Sequence, residues 1–251
     1  MRRMASRVYR AADRPTLQPG PRFLGPCPCC GGLDIVQKDI LWDNLIDIWN
    51  LSKVETDYIN RQQGLRCTSC GSRLRSMALA AWLRRHFGTE LPLSELTDSP
   101  LHAPQVKILE INEAGQLTQF LRKLPGHTLG CFPEVDIMDL PYMNETFDLV
   151  VHSDTLEHVP DPIRALVECR RVLRPNGQCA FTVPVVVDRL SRSTDRGLPS
   201  YHGHADLKAE DFKVRTEFGA DTWKIVISAG FRECSVFALE YPAALVHVCR
   251  K

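Results

Sequence analysis

The sequence predicts an α/β fold, a layered sheet covered by helices, preceded by a small cysteine-bounded module. Three observations lead there. Phe147 to Val183 reads as a buried strand, a polar turn, an amphipathic helix, a tight turn and a second buried strand. From Val106 onward, short apolar runs alternate with stretches of helical period, the order that requires crossovers and a parallel sheet. Ahead of them, two Cys-x-x-Cys-Gly motifs, Cys27 to Gly31 and Cys67 to Gly71, bracket a separate region.

Residues 1–26 are rich in Arg and Pro and poor in large apolar side chains, the composition of a flexible arm. Residues 27–90 form the module. In it, Leu41, Trp42, Leu45, Ile46 and Trp49 make a helical stripe, and Ser72 to Phe87 continues as a helix with Leu74, Met77, Ala78, Ala81 and Trp82 on one face. Pro92 to Pro104 reads as a polar linker. Residues 105–251 hold the α/β domain. Its strands are expected at Val106–Ile111, Thr128–Phe132, Phe147–Val151, Gln178–Val183, Val236–Leu239 and Ala244–Cys249. Helices are expected at Leu117–Lys123, from Ile163 to Leu173 and at Trp223–Ala229. Pro175, Asn176 and Gly177 are expected to stop the second of these.

Each Cys-x-x-Cys pair can grip one metal ion from a tight turn, and four thiolates give the closed tetrahedral site of structural zinc. Cys27, Cys30, Cys67 and Cys70 are the expected ligands of a zinc-ribbon-like module, with Cys29 as an alternative to Cys27 or Cys30. Cys131, Cys169, Cys179, Cys234 and Cys249 stand singly and read as core residues. With ten cysteines and no apolar stretch after the N-terminal arginines, a reducing, cytoplasmic compartment is expected. An arginine-rich transit peptide is the alternative. No apolar run of about eighteen residues suggests a membrane span. A net charge of +1 argues against a strongly electrostatic partner overall, although Arg61, Arg66, Arg73, Arg75, Arg84 and Arg85 offer a basic surface to nucleic acid.

FDLVVHSDTLEHV followed by RRVLRPNG, from Phe147 to Gly177, resembles the second half of a class I S-adenosylmethionine-dependent methyltransferase, of the type 11 kind. The resemblance covers about Val106 to Val187. It implies a Rossmann-like sheet, shortened here because the second expected strand leads almost directly into the next conserved loop. It also implies S-adenosylmethionine as cofactor and a methyl acceptor, which could be a small molecule, a sugar, RNA or protein. By the same likeness Glu110 opens the cofactor turn, in which Asn112, Ala114 and Gln116 stand where glycines are usual and Gly115 remains. Asn tolerates the left-handed backbone such a turn needs. Asp136-Ile-Met-Asp-Leu-Pro matches the family's adenine loop, placing Asp136 at the adenine amino group and Ile137 on the ring; a turn-forming Asp is the alternative. Glu134, or water, is expected at the ribose, since Cys131 and Phe132 occupy the usual place of an acid. Ser153 would lie in the floor of the cofactor cleft. His158 and His152 are the candidate bases, because imidazole titrates near neutrality; capping or packing is the alternative for His158. Tyr201, His202, His204 and Asp206 form a second polar cluster, expected in a lid. The altered turn and missing ribose acid leave a rival: a binding or scaffold protein that has kept the fold and lost the cofactor. A second rival is an RNA-modifying enzyme docked by the module and its arginines.

Overall fold

The computed structural model describes residues 22–99, 103–194, 200–201 and 213–251. His202, His204 and Asp206 lie outside them, as does nearly all of the expected arm. The module contributes β1 (Ile35–Gln37), α1 (Asp43–Trp49), α2 (Lys53–Gly64) and β2 (Leu65–Cys67), followed by α3 (Leu74–His86) and α4 (Leu93–Asp98). Next come β3 (Ile108–Ile111), a 3-10 turn at Gly115–Leu117, α5 (Thr118–Leu121), β4 (His127–Gly130), β5 (Phe147–Ser153), α6 (Pro162–Val172) and β6 (Leu173–Thr182). Short strands β7 (Val185–Val186), β8 (Arg192–Ser193), β9 (Ser200–Tyr201), β10 (Lys213–Val214) and β11 (Thr216–Gly219) precede α7 (Thr222–Ser228), β12 (Glu233–Glu240) and β13 (Ala244–Arg250).

The main sheet has six strands in the order β4-β3-β5-β6-β13-β12. Strands β4, β3, β5 and β6 run parallel, with Leu109 opposite Val150 and Val150 opposite Cys179. β13 is antiparallel to both β6 and β12. The central strands β3 and β5 are buried on both faces, which accounts for their continuous apolar runs. The chain passes from β3 outward to β4, then returns to the other side of β3 with β5. That reversal opens a crevice at the carboxyl ends of β3 and β5, the place where open α/β sheets hold ligands.

α6 follows the sequence closely. Asp161 caps it by accepting the Arg164 N–H at 2.9 Å, with Pro162 in the first turn. It ends at Val172, earlier than the Pro-Asn-Gly turn suggested, because Pro175 biases the residues before it toward extended backbone; β6 begins at Leu173. Two helices were not foreseen. α2 is polar along most of its length, so periodicity does not reveal it, but Ser52 and Glu55 form a reciprocal capping box that the sequence spells as Ser-x-x-Glu. α4 lies inside the expected linker, just after Pro92.

Module and sheet share one core. Cys27, Cys29, Leu65, Cys67, Met77 and Leu79 belong to the same buried cluster as Ile108, Val151 and Val246, because α3 lies against β6, β12 and β13. The opposite face is covered by α6 and α7. Ion pairs lock the module in place. Arg61 on α2 binds Glu240 on β12 through two nitrogens. Arg189, after β7, reaches Glu55 on α2 and the carbonyls of Trp49 and Asn50.

Candidate active site and metal centre

The crevice at the strand reversal is a cavity of about 880 Å³. Its inner side is lined by Asn112 after β3, Phe132 after β4, the Asp136–Met138 loop, and Asp154, Thr155 and His158 after β5. Its outer side is lined by the module: residues from Ile40 to Trp49, then Ile59, Gln63, Arg73 and Arg75.

The turn after β3 is built without a glycine at its first positions. Asn112 and Glu113 both take left-handed backbone, with φ of 55° and 48°, and Gly115 follows at 59°. Such conformations cost energy in residues with a Cβ and gather at ligand clamps. Here they are held in place by side chains. Glu110, fully buried on β3, accepts the Ala114 N–H at 2.7 Å and the Thr118 hydroxyl at 2.6 Å, and its other oxygen meets His127 Nε2 at 2.7 Å. Asn112 Oδ1 accepts the Phe132 N–H at 2.8 Å, tying the turn to the end of β4. A Cβ on Gly115 would sit 2.6 Å from the Ser76 hydroxyl, so α3 packs directly on the turn.

The expected cofactor contacts divide. Glu110, Ala114 and Gly115 shape the turn and are not among the residues that line the cavity. Glu134 is exposed and is not among them either. Ser153 is buried under the floor, where its hydroxyl and that of Thr182 share a hydrogen bond of 2.7 Å. Asn112, Asp136 and Ile137 do line the cavity. Asp136 also forms the turn of its own loop, accepting the Met138 N–H at 2.8 Å through Oδ1. Of Cys131 and Phe132, the two residues at the expected place of a ribose acid, Phe132 lines the cavity.

The two histidines separate. His152 is completely buried, stacked on Phe181 with ring centroids 5.0 Å apart and planes 6° from parallel. Burial pushes its pKa down to about 3, so it is a neutral core residue and not the base anticipated for it. His158 lines the cavity, and its Nδ1 lies 2.9 Å from the Lys213 carbonyl oxygen. That carbonyl can only accept, which places a proton on Nδ1 and makes Nε2 the basic nitrogen of the neutral ring.

Sequence reading missed the most unusual cation in the site. Arg75, on α3, had been grouped with a basic surface; instead it is buried and lines the cavity. It pairs with Asp154, which stands at φ 51° at the end of β5, and donates to Gln63 Oε1 at 2.6 Å. Burial lowers its pKa to about 9, opposed by the charge of Glu157, so it stays cationic at neutral pH. Arg61 also leaves the surface for Glu240. The only signal in the sequence was the apolar face of α3, on which Arg75 falls next to Leu74 and Met77, Ala78.

The Sγ atoms of Cys27, Cys30, Cys67 and Cys70 all lie within 4.8 Å of one another. Cys27 and Cys70 are 3.7 Å apart, as are Cys30 and Cys67. A tetrahedron with metal–sulfur bonds of about 2.3 Å has edges of roughly 3.8 Å, so the donor set fits a tetrahedral thiolate site. The two knuckles repeat each other: Gly31 and Gly71 both have φ of 77°, each donating back to the first cysteine's carbonyl. Cys29 lies beside the cluster: its thiol interacts with those of Cys27 and Cys70 and also reaches the Ser76 carbonyl at 3.8 Å.

Comparison with known proteins agrees with this arrangement. Residues 71–181 match the family described as "Methyltransferase domain". A phthiotriol/phenolphthiotriol dimycocerosates methyltransferase of Mycobacterium leprae is 38% identical over 82 residues, 32% of this chain and 29% of that protein. A ubiquinone biosynthesis O-methyltransferase of Histophilus somni is 26% identical over 113 residues, covering 45% of this chain and 41% of the relative. A probable S-adenosylmethionine-dependent methyltransferase of Mycolicibacterium smegmatis is 27% identical over 128 residues, 49% and 45% of the two chains. The match thus spans less than half the length of each of these relatives. The solved structure of a possible histamine N-methyltransferase of Thermotoga maritima covers 71% of this chain and 98% of its own, at 17% identity and a TM-score of 0.38. Among the described residues, no helix is long and apolar enough to cross a membrane. The segment from Gly71 to Phe181, somewhat under half of the chain, is thus similar in sequence to methyltransferase domains.

Proposed function

We propose that this chain transfers a methyl group from S-adenosylmethionine to a small-molecule acceptor, and that its N-terminal module holds one structural zinc ion. The observation that carries the reading is the cavity at the strand reversal, onto which Asn112, the Asp136–Ile137 loop and Arg75 converge. The residues fit the cofactor. Asp136 presents a carboxylate oxygen for an amino group and Ile137 an apolar surface for a ring. Bound there, S-adenosylmethionine supplies an electrophilic methyl group. Transfer is an in-line displacement, so the chain's own contribution is mainly alignment and exclusion of water. His158 is placed to take a proton from a hydroxyl or ammonium acceptor. The relatives' names, a ubiquinone biosynthesis O-methyltransferase among them, support a small-molecule acceptor.

Zinc is the metal that four clustered thiolates select, and four protein ligands leave no open position for substrate, so its role is structural. Phe132 in the place of a ribose acid favours the second reading, a methyltransferase fold kept for binding or scaffolding. Calorimetric titration of the zinc-loaded protein with S-adenosylhomocysteine separates the two. Saturable binding supports the enzyme, and its absence would leave the scaffold.

A further inference from the structure

The cavity wall divides in a way that bears on the acceptor. The lining residues from Arg73 to Pro160 all fall inside the matched segment 71–181. Those outside it are mostly apolar, with Gln63 and Arg215 the polar exceptions, and Ile40, Leu41, Trp42, Leu45, Trp49 and Ile59 dominate. They come from α1, the segment leading into it, and α2. This wall is built on its own small core, in which Leu45 and Trp49 are buried with Val214, and Leu41 and Trp42 pack against them. Asn60 holds the segment before α1 by accepting the N–H groups of Ile40 and Leu41, both at 2.8 Å. Arg189 binds the carbonyls of Trp49 and Asn50, which anchors the far end of α1 to the sheet domain.

We infer that the methyl acceptor is a small apolar molecule with a planar ring, seated against Trp42 and Leu45 on the module side of the cavity. The inference rests on the methyltransferase reading above and adds the substrate class. An indole beside branched aliphatic side chains recognises a flat apolar ring by burial and stacking, and offers little to a polar acceptor. The chemistry runs against a nucleic acid. Two of the arginines that could have formed a basic surface are consumed, Arg61 by Glu240 and Arg75 inside the cavity, and the net charge is only +1. A cavity of about 880 Å³ lies within the range of roughly 300–1,000 Å³ typical of small-molecule sites. The module is thus more than a metal-stabilised appendage: it supplies the acceptor's half of the site.

The test uses the full-length, zinc-loaded protein saturated with S-adenosylhomocysteine, titrated with 1-naphthol as a planar apolar probe and followed by calorimetry. Saturable binding is expected. Trp42→Ala should weaken it about tenfold while leaving S-adenosylhomocysteine affinity within about twofold. Ile40→Asp, at the solvent-accessible edge of the wall, is a second variant that spares the core and should have the same effect. Loss of naphthol binding in either folded variant supports the inference. If S-adenosylhomocysteine binds but naphthol does not, or both variants bind naphthol as the wild type does, the inference fails and the cofactor reading stands. Salt-sensitive binding of a uridine oligonucleotide in place of naphthol would also overturn it. If S-adenosylhomocysteine itself does not bind, the underlying reading falls, and the inference with it.

Discussion

Replacing Arg189 with methionine should loosen the module from the sheet domain. The guanidinium donates from Nε and Nη2 to the two Glu55 oxygens at 2.8 and 2.9 Å, from Nη1 to the Trp49 carbonyl at 2.7 Å, and from Nη2 to the Asn50 carbonyl at 2.6 Å. The side chains are 26% and 8% exposed, so the pair is only partly screened. Methionine keeps the apolar stem and removes all of these bonds. Breaking a buried ion pair costs about 3–5 kcal/mol; partial solvent access brings the expected loss to about 3 kcal/mol. With a urea dependence of about 3 kcal/mol per molar, the unfolding midpoint should fall by about 1 M. The loss should also depend on pH. Burial raises the pKa of Glu55, but Arg189 and the Ser52 cap outweigh it and hold the carboxyl below its usual range. A depressed carboxylate stabilises above its unfolded pKa, about 4.3, and loses that contribution as pH falls through the folded value. Wild type and Arg189→Met should therefore converge in acid. Urea denaturation at neutral pH and near pH 3.5 measures both effects. A difference below about 0.5 kcal/mol at neutral pH would refute the role given to this clamp.

Other expectations are as direct. Asp136→Ala should weaken S-adenosylhomocysteine binding about tenfold, and Asp136→Asn, which keeps an oxygen for the Met138 N–H, should still lose most of that affinity; calorimetry showing Asn equal to wild type would reduce Asp136 to a turn former. Elemental analysis should find one zinc per chain, lost in Cys67→Ser, and S-adenosylhomocysteine affinity should drop with the metal; unchanged affinity in the metal-free protein would break the link between module and cofactor turn. His152 is held neutral with a pKa near 3, whereas the unfolded chain takes up a proton near pH 6.5. Its stabilising contribution is complete above that pH and is lost on acidification, by about 1 kcal/mol between pH 6.5 and 5.5. His152→Phe should remove this dependence in paired denaturation series and should leave turnover intact; a large fall in turnover would return His152 to the catalytic candidates.

The parts of the fold visible in the sequence are those where one local rule acts alone. β5 and α6 are long, with a clear period and a cap, and their positions follow from Phe147 to Val172 directly. The clustering of Cys27, Cys30, Cys67 and Cys70 is equally local, since thiol pairs and glycines are fixed by the knuckle itself. What stayed hidden depends on contacts between distant segments. His152 and His158 are indistinguishable by residue type; only the pairing of β5 with β6 puts Phe181 against one and leaves the other at the cavity. By resemblance Glu110 reads as the acid that opens the cofactor turn, but its oxygens bond Ala114 and Thr118 in and after the turn and His127 on β4. α2 is hidden because its buried side includes Glu55, Asn60 and Gln62, and the partners of Glu55 and Asn60, Arg189 and the Ile40 and Leu41 N–H groups, lie outside the helix.

The placement of α3 joins the cysteine cluster to the cavity. The helix begins four residues after the thiolate Cys70, so the second knuckle fixes where its first turn points. In that turn Arg75 enters the cavity, while the Ser76 hydroxyl meets the Gln116 N–H at 3.4 Å and closes on Gly115. Gln119 reaches back from α5 to the Cys70 carbonyl at 3.2 Å. A glycine-poor turn with Asn112 and Glu113 in left-handed backbone needs outside support to hold its shape. Ordinary members of an α/β fold supply it with glycines; here the neighbouring knuckle, Glu110 and α3 supply it instead. The turn's lack of glycines is therefore matched by added bracing, and the four-cysteine cluster lies at one end of that bracing.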